Sequence, residues 1–314
     1  LTSFIIRRLL LTIVVLIIIS FLSFLLVNIM PGDPAAAALG LSANPTQIAE
    51  LRHELWLDRP FFIQYFHWVG NAVRGDFGIS IAYRDPIISI FKQRLPITLY
   101  LSLWAFILST ILGISAGIIC AIRRGGILDQ TISVLANLGI SVPIFLLGIL
   151  GIYIFALKLK LLPIMGWTSP GQDFWLSTRQ VIMPVIALAI PGIAMMARQT
   201  RSSMLEVVRQ DYLRTAWSKG LKERQVIIKH ALKNALIPIV TLLGLQVRIL
   251  VGGSVIVEQV FNIPGMGRLL VYASFSKDFI IIQAGVLLIG AIVCLANLIV
   301  DISYGWLDPR VRYD

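Results

Sequence analysis

Few residues in this chain are of a type and spacing that could do chemistry, and the strongest candidates sit in apolar surroundings. Arg248 stands in the middle of an apolar segment running from Ala235 to Val257, two residues after Gln246. An arginine at mid-membrane costs about 2.5–3.5 kcal/mol on insertion scales, so it should face protein or water rather than lipid. Its planar guanidinium suits a bidentate contact with a carboxylate. Two readings stay open. Arg248 lines a polar path and attracts an anionic group, or it makes an ion pair or carbonyl contact with a neighbouring chain. A second unusual place is the short apolar segment from Val181 to Ala197, which carries Pro184 and Pro191. An interior proline frees a backbone carbonyl, and in lipid this is tolerated where protein or a cavity satisfies it. The stretch from Pro184 to Gly192 is therefore expected to face protein or a pathway.

Catalytic constellations are missing from the sequence. No lysine follows a glycine, so the phosphate-cradling loop of an ATPase is absent, and HExxH does not occur. A GxSxG string stands at Gly113 to Gly117, but inside an apolar run rather than at the strand-to-helix turn a hydrolase nucleophile needs. His53, His67 and His230 are isolated from one another. Cys120 and Cys294 lie inside apolar runs, which argues against a disulfide framework or a Cys-rich metal site.

The third place is a polar, basic stretch from Gln210 to Pro238, bearing Arg214, Lys219, Lys222, Arg224, Lys229 and Lys233 between long apolar runs. Such a loop belongs on the cytoplasmic side. Leu213, Ala216 and Trp217 fall at helical spacing, Gly220 interrupts, and Val226, Ile227, Ala231 and Leu232 resume an apolar stripe. This predicts a short helix, a glycine turn and a second helix entering the membrane.

These sites require a membrane frame, and composition supplies it. The chain is 57% hydrophobic and only 14% charged, with a mean hydropathy of +0.86, whereas soluble domains run near 25% charged. A net charge of +11 could suggest nucleic acid, but the positive residues cluster between apolar spans. Arg7 and Arg8 precede a run from Leu9 to Met30, too long for a signal-peptide core and suited to a first span with its N-terminus inside. Residues 31–96 form an external loop region. It opens on the Pro31-Gly32-Asp33-Pro34 turn, has a short helix from Pro45 to Leu55, and carries an interfacial aromatic cluster of Trp56, Phe61, Phe62, Tyr65, Phe66 and Trp68. Further spans are expected at Ile97–Ile122, Thr131–Leu157, Val181–Ala197, Ala235–Val257 and Ile280–Tyr304. Six spans with both termini inside put 15 of the 27 Lys and Arg residues in the cytoplasm. Gly113, Gly117, Gly244, Gly252 and Gly253 permit close helix packing.

The order of residues in the basic stretch resembles the coupling loop of ABC importer permeases, whose pattern is acidic-Ala-Ala, three residues, glycine, and then a hydrophobic-x-Pro. Arg214-Thr215-Ala216, Gly220 and Leu236-Ile237-Pro238 stand at these positions, with Arg214 and Thr215 departing from the general form. The closer form DYxRTAxxKGL, used by the dipeptide and oligopeptide permeases, matches from Asp211 to Leu221. TRSSMLEV at Thr200, GLQ at Gly244, GGSVIVE at Gly252, PGMGRLL at Pro264 and LDPRVRY at Leu307 look like the same family, as do PGDP, LDRPFFIQYFHW and GDFGIS in the external region. That family usually has glycine at the position of Trp56, and a smaller or charged residue at that of Trp217.

The resemblance implies an all-α polytopic membrane protein with the type I ABC importer permease fold and six transmembrane helices. Its parts would be an N-terminal helix (1–30), the external region (31–96), a permease core (97–305) with a coupling loop at 198–234, and a cytoplasmic tail (306–314). Asp211, Tyr212, Leu213, Arg214, Thr215, Ala216, Gly220 and Leu221 would couple to an ATPase, with Leu213, Ala216 and Trp217 supplying an apolar docking face, while Arg248, Gln246 and Pro191 are the candidates for the pathway. The implied partners are a second, homologous permease, two ATPase subunits, an extracytoplasmic solute-binding protein and membrane lipid, with no nucleic acid. ATP and Mg would act on the ATPase subunits, and this chain would bind no cofactor or metal. The cargo would be di- or oligopeptides, with nickel and glutathione carried by systems sharing the motifs. A proton-coupled secondary transporter would need more buried ionisable groups than Arg248 and Asp301, and a channel would need a ring of polar groups.

Overall fold

The computed structural model describes residues 2–29, 34–39, 44–222 and 225–307. The expected Pro31-Gly32-Asp33 turn, Arg224, and the tail with Arg310 and Arg312 lie outside these, as do the side chains of Arg214, Trp217, Lys229, His230 and Asp301. Among the described residues the structure is helical, and the one β pairing is an isolated bridge between Ile79 and Pro86. Five helices are long and apolar enough to cross a membrane, and a bent helix pair makes a sixth candidate.

In chain order the helices are α1 (Thr2–Ile29), α2 (Pro34–Leu39), α3 (Pro45–Glu54), α4 (Phe61–Val73), α5 (Ile87–Ile122), α6 (Ile127–Ser141) and α7 (Ile144–Gly151). A π-helical turn (Ile152–Lys158) extends α7. There follow α8 (Phe174–Val208), α9 (Asp211–Ser218), a second π turn (Val226–Ala231) continuing into α10 (Leu232–Val260), α11 (Met266–Phe275) and α12 (Phe279–Leu307).

The third expected span, Thr131–Leu157, is not one straight helix. It breaks between α6 and α7, which meet at 106°. The cause is Pro143, which drives Val142 into extended backbone (φ −81, ψ 125) and cannot continue the α6 hydrogen-bond ladder. Two other helices overrun their expected lengths. α5 begins at Ile87 rather than Ile97 and takes Pro96 into its interior. Ile87, Ile90 and Phe91 are buried there, so packing holds the added turns helical across the proline. α8 runs for 35 residues, far beyond Val181–Ala197, and its N-terminus is capped by the Asp173 carboxylate on the Leu176 amide.

The chain divides into two compact units. One comprises residues 1–5, 99–263 and 296–314, the other residues 6–98 and 264–295. In the first, α8 is the buried centre, with α6, α7 and α10 packed on it. Pro184 is buried, as expected for a proline that must hide its freed backbone. Gly113 and Gly117 of α5 allow a close approach to α8, because an added Cβ would lie 2.5 Å from the Met196 Cβ and 2.4 Å from the Thr200 Cβ respectively. Gly252 differs from its expected role: nothing lies within 4 Å of the position a Cβ would take.

The second unit holds the described residues of the region expected to be external. Its core joins Ile87, Ile90 and Phe91 to Met266, Leu269, Ala273, Ile281 and Ala284. The fully buried Asp278 carboxylate ties the loop before α5 to the start of α12. It accepts from the Ser80 hydroxyl at 2.6 Å, the Ala82 amide at 2.9 Å and the Ile281 amide at 3.2 Å. The aromatic cluster splits by face. Phe61 and Tyr65 meet Phe21 and Phe24 of α1 edge to face, whereas Phe62 and Phe66 point outward. Trp56 holds a left-handed φ of 59°. Its ring stacks on His67 at 4.0 Å and carries the Arg59 guanidinium, contacts that offset the backbone cost.

Candidate functional site

Two sites in the first unit answer to the sequence reading. The first is the elbow formed by the end of α8, α9 and the π turn before α10. α9 is only eight residues long, and a helix that short does not hold itself in water. What holds it is a cluster in which Leu213 is fully buried and Ala216 nearly so, packed with Met204 of α8 and with Val226, Ile227, Ala231 and Ala235. Leu213 and Ala216 therefore face the chain's own interior and not outward, while the Trp217 side chain lies outside the described residues.

Among the described side chains, the outward face of α9 is polar. Asp211, Tyr212, Thr215 and Ser218 are exposed, followed by Lys219, Gly220 and Leu221. Asn234 of α10 donates to the Tyr212 hydroxyl at 2.7 Å, and the Thr215 hydroxyl donates to the Asp211 carbonyl. Gly220 closes the helix at φ +77°, with the Leu221 amide reaching back to the Ala216 carbonyl. Among the described residues no atom lies within 4 Å of where a Cβ would be, so the glycine is needed there for its backbone angle.

Behind the elbow is an ion pair that the sequence reading missed. Arg201 of α8 donates through Nε to Asp129 Oδ1 at 2.6 Å and through a terminal nitrogen to Oδ2 at 2.9 Å, while the Gly125 amide donates to Oδ2. Asp129 is 3% exposed, so the pair fixes α8 to the start of α6 one turn before Met204. Arg201 lies within TRSSMLEV, yet 72 residues separate it from Asp129 and no local pattern links them.

The second site is a cavity of about 180 Å³ between α6, α8 and α10, lined by Pro191, Gly192, Met195, Arg198 and Gln246 among others. Gln246 is 2% exposed. Its Nε2 donates to the Ser109 hydroxyl, which bonds back to the Ala105 carbonyl, and its Oε1 has no partner among the described residues. Gly192 makes room for this contact, since a Cβ there would come within 2.6 Å of the Gln246 amide nitrogen. The structure thus brings Pro191 and Gln246 together, and it adds Arg198, which had counted only toward topology. It does not bring Arg248 to them. At about 100° per residue, positions 246 and 248 point to nearly opposite sides of α10, and Arg248 is exposed on the other face without a hydrogen bond or ion pair among the described residues.

Comparison with known proteins decides what this architecture is. Residues 113–313 match the model of the binding-protein-dependent transport system inner membrane component, and residues 1–102 match that family's N-terminal model. The chain belongs to this family. It is 42% identical over 310 residues to the protein named "Probable peptide ABC transporter permease protein y4tP" of Sinorhizobium fredii, covering 99% of both chains. It is equally identical, over 311 residues and 99% of both, to the glutathione transport system permease protein GsiC of Escherichia coli. Among solved structures, a chain of the inward-facing MetNI methionine ABC transporter superposes with a TM-score of 0.58 at 17% identity, covering 70% of this chain and 96% of that one. A chain of an amino acid ABC transporter gives 0.51 at 18% identity, covering 71% and 94%. The fold is that of a type I ABC importer permease, and the protein is a multi-pass, pore-forming permease subunit of such an importer.

Proposed function

We propose that this permease imports short peptides, with ATP hydrolysed on partner subunits and coupled to the pore through α9. The observation that carries the coupling role is the elbow: a short helix pinned inward by Leu213 and Ala216, with Asp211, Tyr212 and Thr215 facing outward. A body moving against that polar face pushes on Met204 and the Arg201–Asp129 pair, and so on α8 and α6. Asp211, Tyr212, Thr215, Gly220 and Leu221 then make or shape the ATPase contact, while Leu213 and Ala216 transmit it inward. Arg214 belongs to the same segment.

The assembly on this reading contains a second, homologous permease, two ATPase subunits that bind ATP and Mg, and an extracytoplasmic solute-binding protein. Both termini are cytoplasmic. The exposed Arg248 face of α10 is covered by the second permease, because a guanidinium at that depth needs a polar partner. Gln246, Pro191 and Arg198 border the pathway, where the unpartnered Gln246 Oε1 accepts from a passing amide.

Peptide is supported by the S. fredii relative and by the DYxRTAxxKGL match at 211–221. The glutathione permease at the same identity supports glutathione, itself a modified tripeptide, as a second cargo. The test is uptake into proteoliposomes of the full complex with its binding protein, comparing labelled trialanine, glutathione and nickel. ATP-dependent uptake of trialanine is expected, and its absence alongside uptake of either other solute overturns the peptide assignment.

A further inference from the structure

The second unit contains a much larger cavity, about 660 Å³, between the end of α1, the α3–α4 region and the first turn of α12. Its volume lies within the range of small-ligand pockets, ~300–1,000 Å³. Phe24, Trp56, Trp68, Phe77 and Phe279 provide aromatic walls.

Its polar groups are unevenly satisfied. Gln283 is 6% exposed, and its Nε2 has no hydrogen-bond partner among the described residues. The Trp68 Nε1 is also buried and has none among them. Two orphaned donors lining one cavity are costly, at about 1–3 kcal/mol each, unless something there accepts from them. Both need an acceptor, such as a carbonyl or carboxylate oxygen. The exposed carboxylates of Glu54 and Asp76 also line the cavity, and Asp76 uses Oδ1 to accept from the Gly78 amide. Carboxylates suit a cationic end of the same molecule. Trp56, held in its left-handed conformation, forms part of the wall with its stacked partner His67.

We propose that this cavity is a binding site for a free short peptide, whose carbonyl oxygens accept from Trp68 Nε1 and Gln283 Nε2 and whose ammonium group lies toward Glu54 and Asp76. Peptide as the ligand rests on the importer reading, whereas the existence of an acceptor-binding site rests on the two donors. The site is separate from the cavity at Gln246 and takes peptide without the solute-binding protein.

The test uses the permease complex in lipid nanodiscs, without binding protein, and radiolabelled trialanine as the probe. Saturable binding is expected, weakened about tenfold by Trp68→Phe, which keeps a ring but removes the N–H, and similarly by Gln283→Leu. N-acetyl-trialanine should bind several-fold more weakly than trialanine. Thermal unfolding of each variant checks folding, and if Gln283→Leu does not fold, Trp68→Phe decides. Absence of saturable binding, or unchanged affinity in folded Trp68→Phe, overturns the site. Uptake of trialanine by the complete complex is measured in parallel. Uptake without cavity binding refutes the site and leaves the importer reading standing, whereas binding without uptake supports the site and refutes that reading.

Discussion

Truncating Leu213 tests whether α9 is held from inside. The residue is fully buried in a cluster with Met204, Val226, Ile227, Ala231 and Ala235. Leu→Ala at such a position costs about 2–5 kcal/mol, from lost transfer energy and the cavity left behind. At 1.4 kcal/mol per tenfold, the ratio of docked to undocked elbow falls by ~30-fold or more. The eight residues of α9 cannot offset this loss by intrinsic helix stability. The membrane spans are untouched, so Leu213→Ala should insert and assemble normally. Hydrogen exchange of amides 211–219 should accelerate by at least the same factor, and substrate moved per ATP hydrolysed should fall steeply in proteoliposomes. Thr215→Ala is the control. Its hydroxyl bonds only the Asp211 carbonyl within an exposed turn, so its effect on exchange should be within ~0.5 kcal/mol. Wild-type protection across 211–219 in Leu213→Ala would refute the inward anchoring, and the outward docking face would have to be reinstated.

At Gly220 the cost should follow backbone angle alone: Asn mildest, Ala near 1–2 kcal/mol, Val worse and Pro abolishing coupling, read as uptake per ATP. Equal losses for Asn and Val would show that side-chain space matters there instead. Gly192→Ala should cost about 1–3 kcal/mol by forcing Gln246 off Ser109, with Gln246→Ser restoring thermal stability. No rescue would mean that the clash lies elsewhere. Asp278→Ala leaves the Ser80, Ala82 and Ile281 donors without their acceptor, so the unfolding midpoint should drop and proteolysis near residues 79–85 should increase. Unchanged protease resistance would show that the loop is held by other contacts. A cysteine at position 248 should cross-link to the second permease in the assembled complex, and free reaction with a lipid-phase thiol reagent instead would remove Arg248 from that interface.

Composition and local order determined the class of this protein. Long continuous apolar runs with basic residues between them require a polytopic helical membrane protein, because a helix of about 20 apolar residues spans the lipid and satisfies its own backbone there, whereas barrel strands are shorter and alternate in polarity. The elbow was legible too, since Leu213, Gly220 and Val226 carry the helix–turn–helix pattern in neighbouring residues. What lay beyond the sequence were facts of facing and distance. Periodicity showed that Leu213 and Ala216 share a face, but an apolar stripe looks the same whether it meets its own chain or another. Hydropathy found an apolar run from Thr131 to Leu157 and gave no weight to Pro143, where backbone geometry bends the helix pair by 106°. Gln246 and Arg248 are neighbours in sequence and diverge in space through helical rotation alone. Asp129 and Arg201, or Ser80 and Asp278, are brought together only by tertiary packing, across 72 and 198 residues of chain. Pairings of that kind leave no local periodicity, and they become visible only when the helices that carry them are packed side by side.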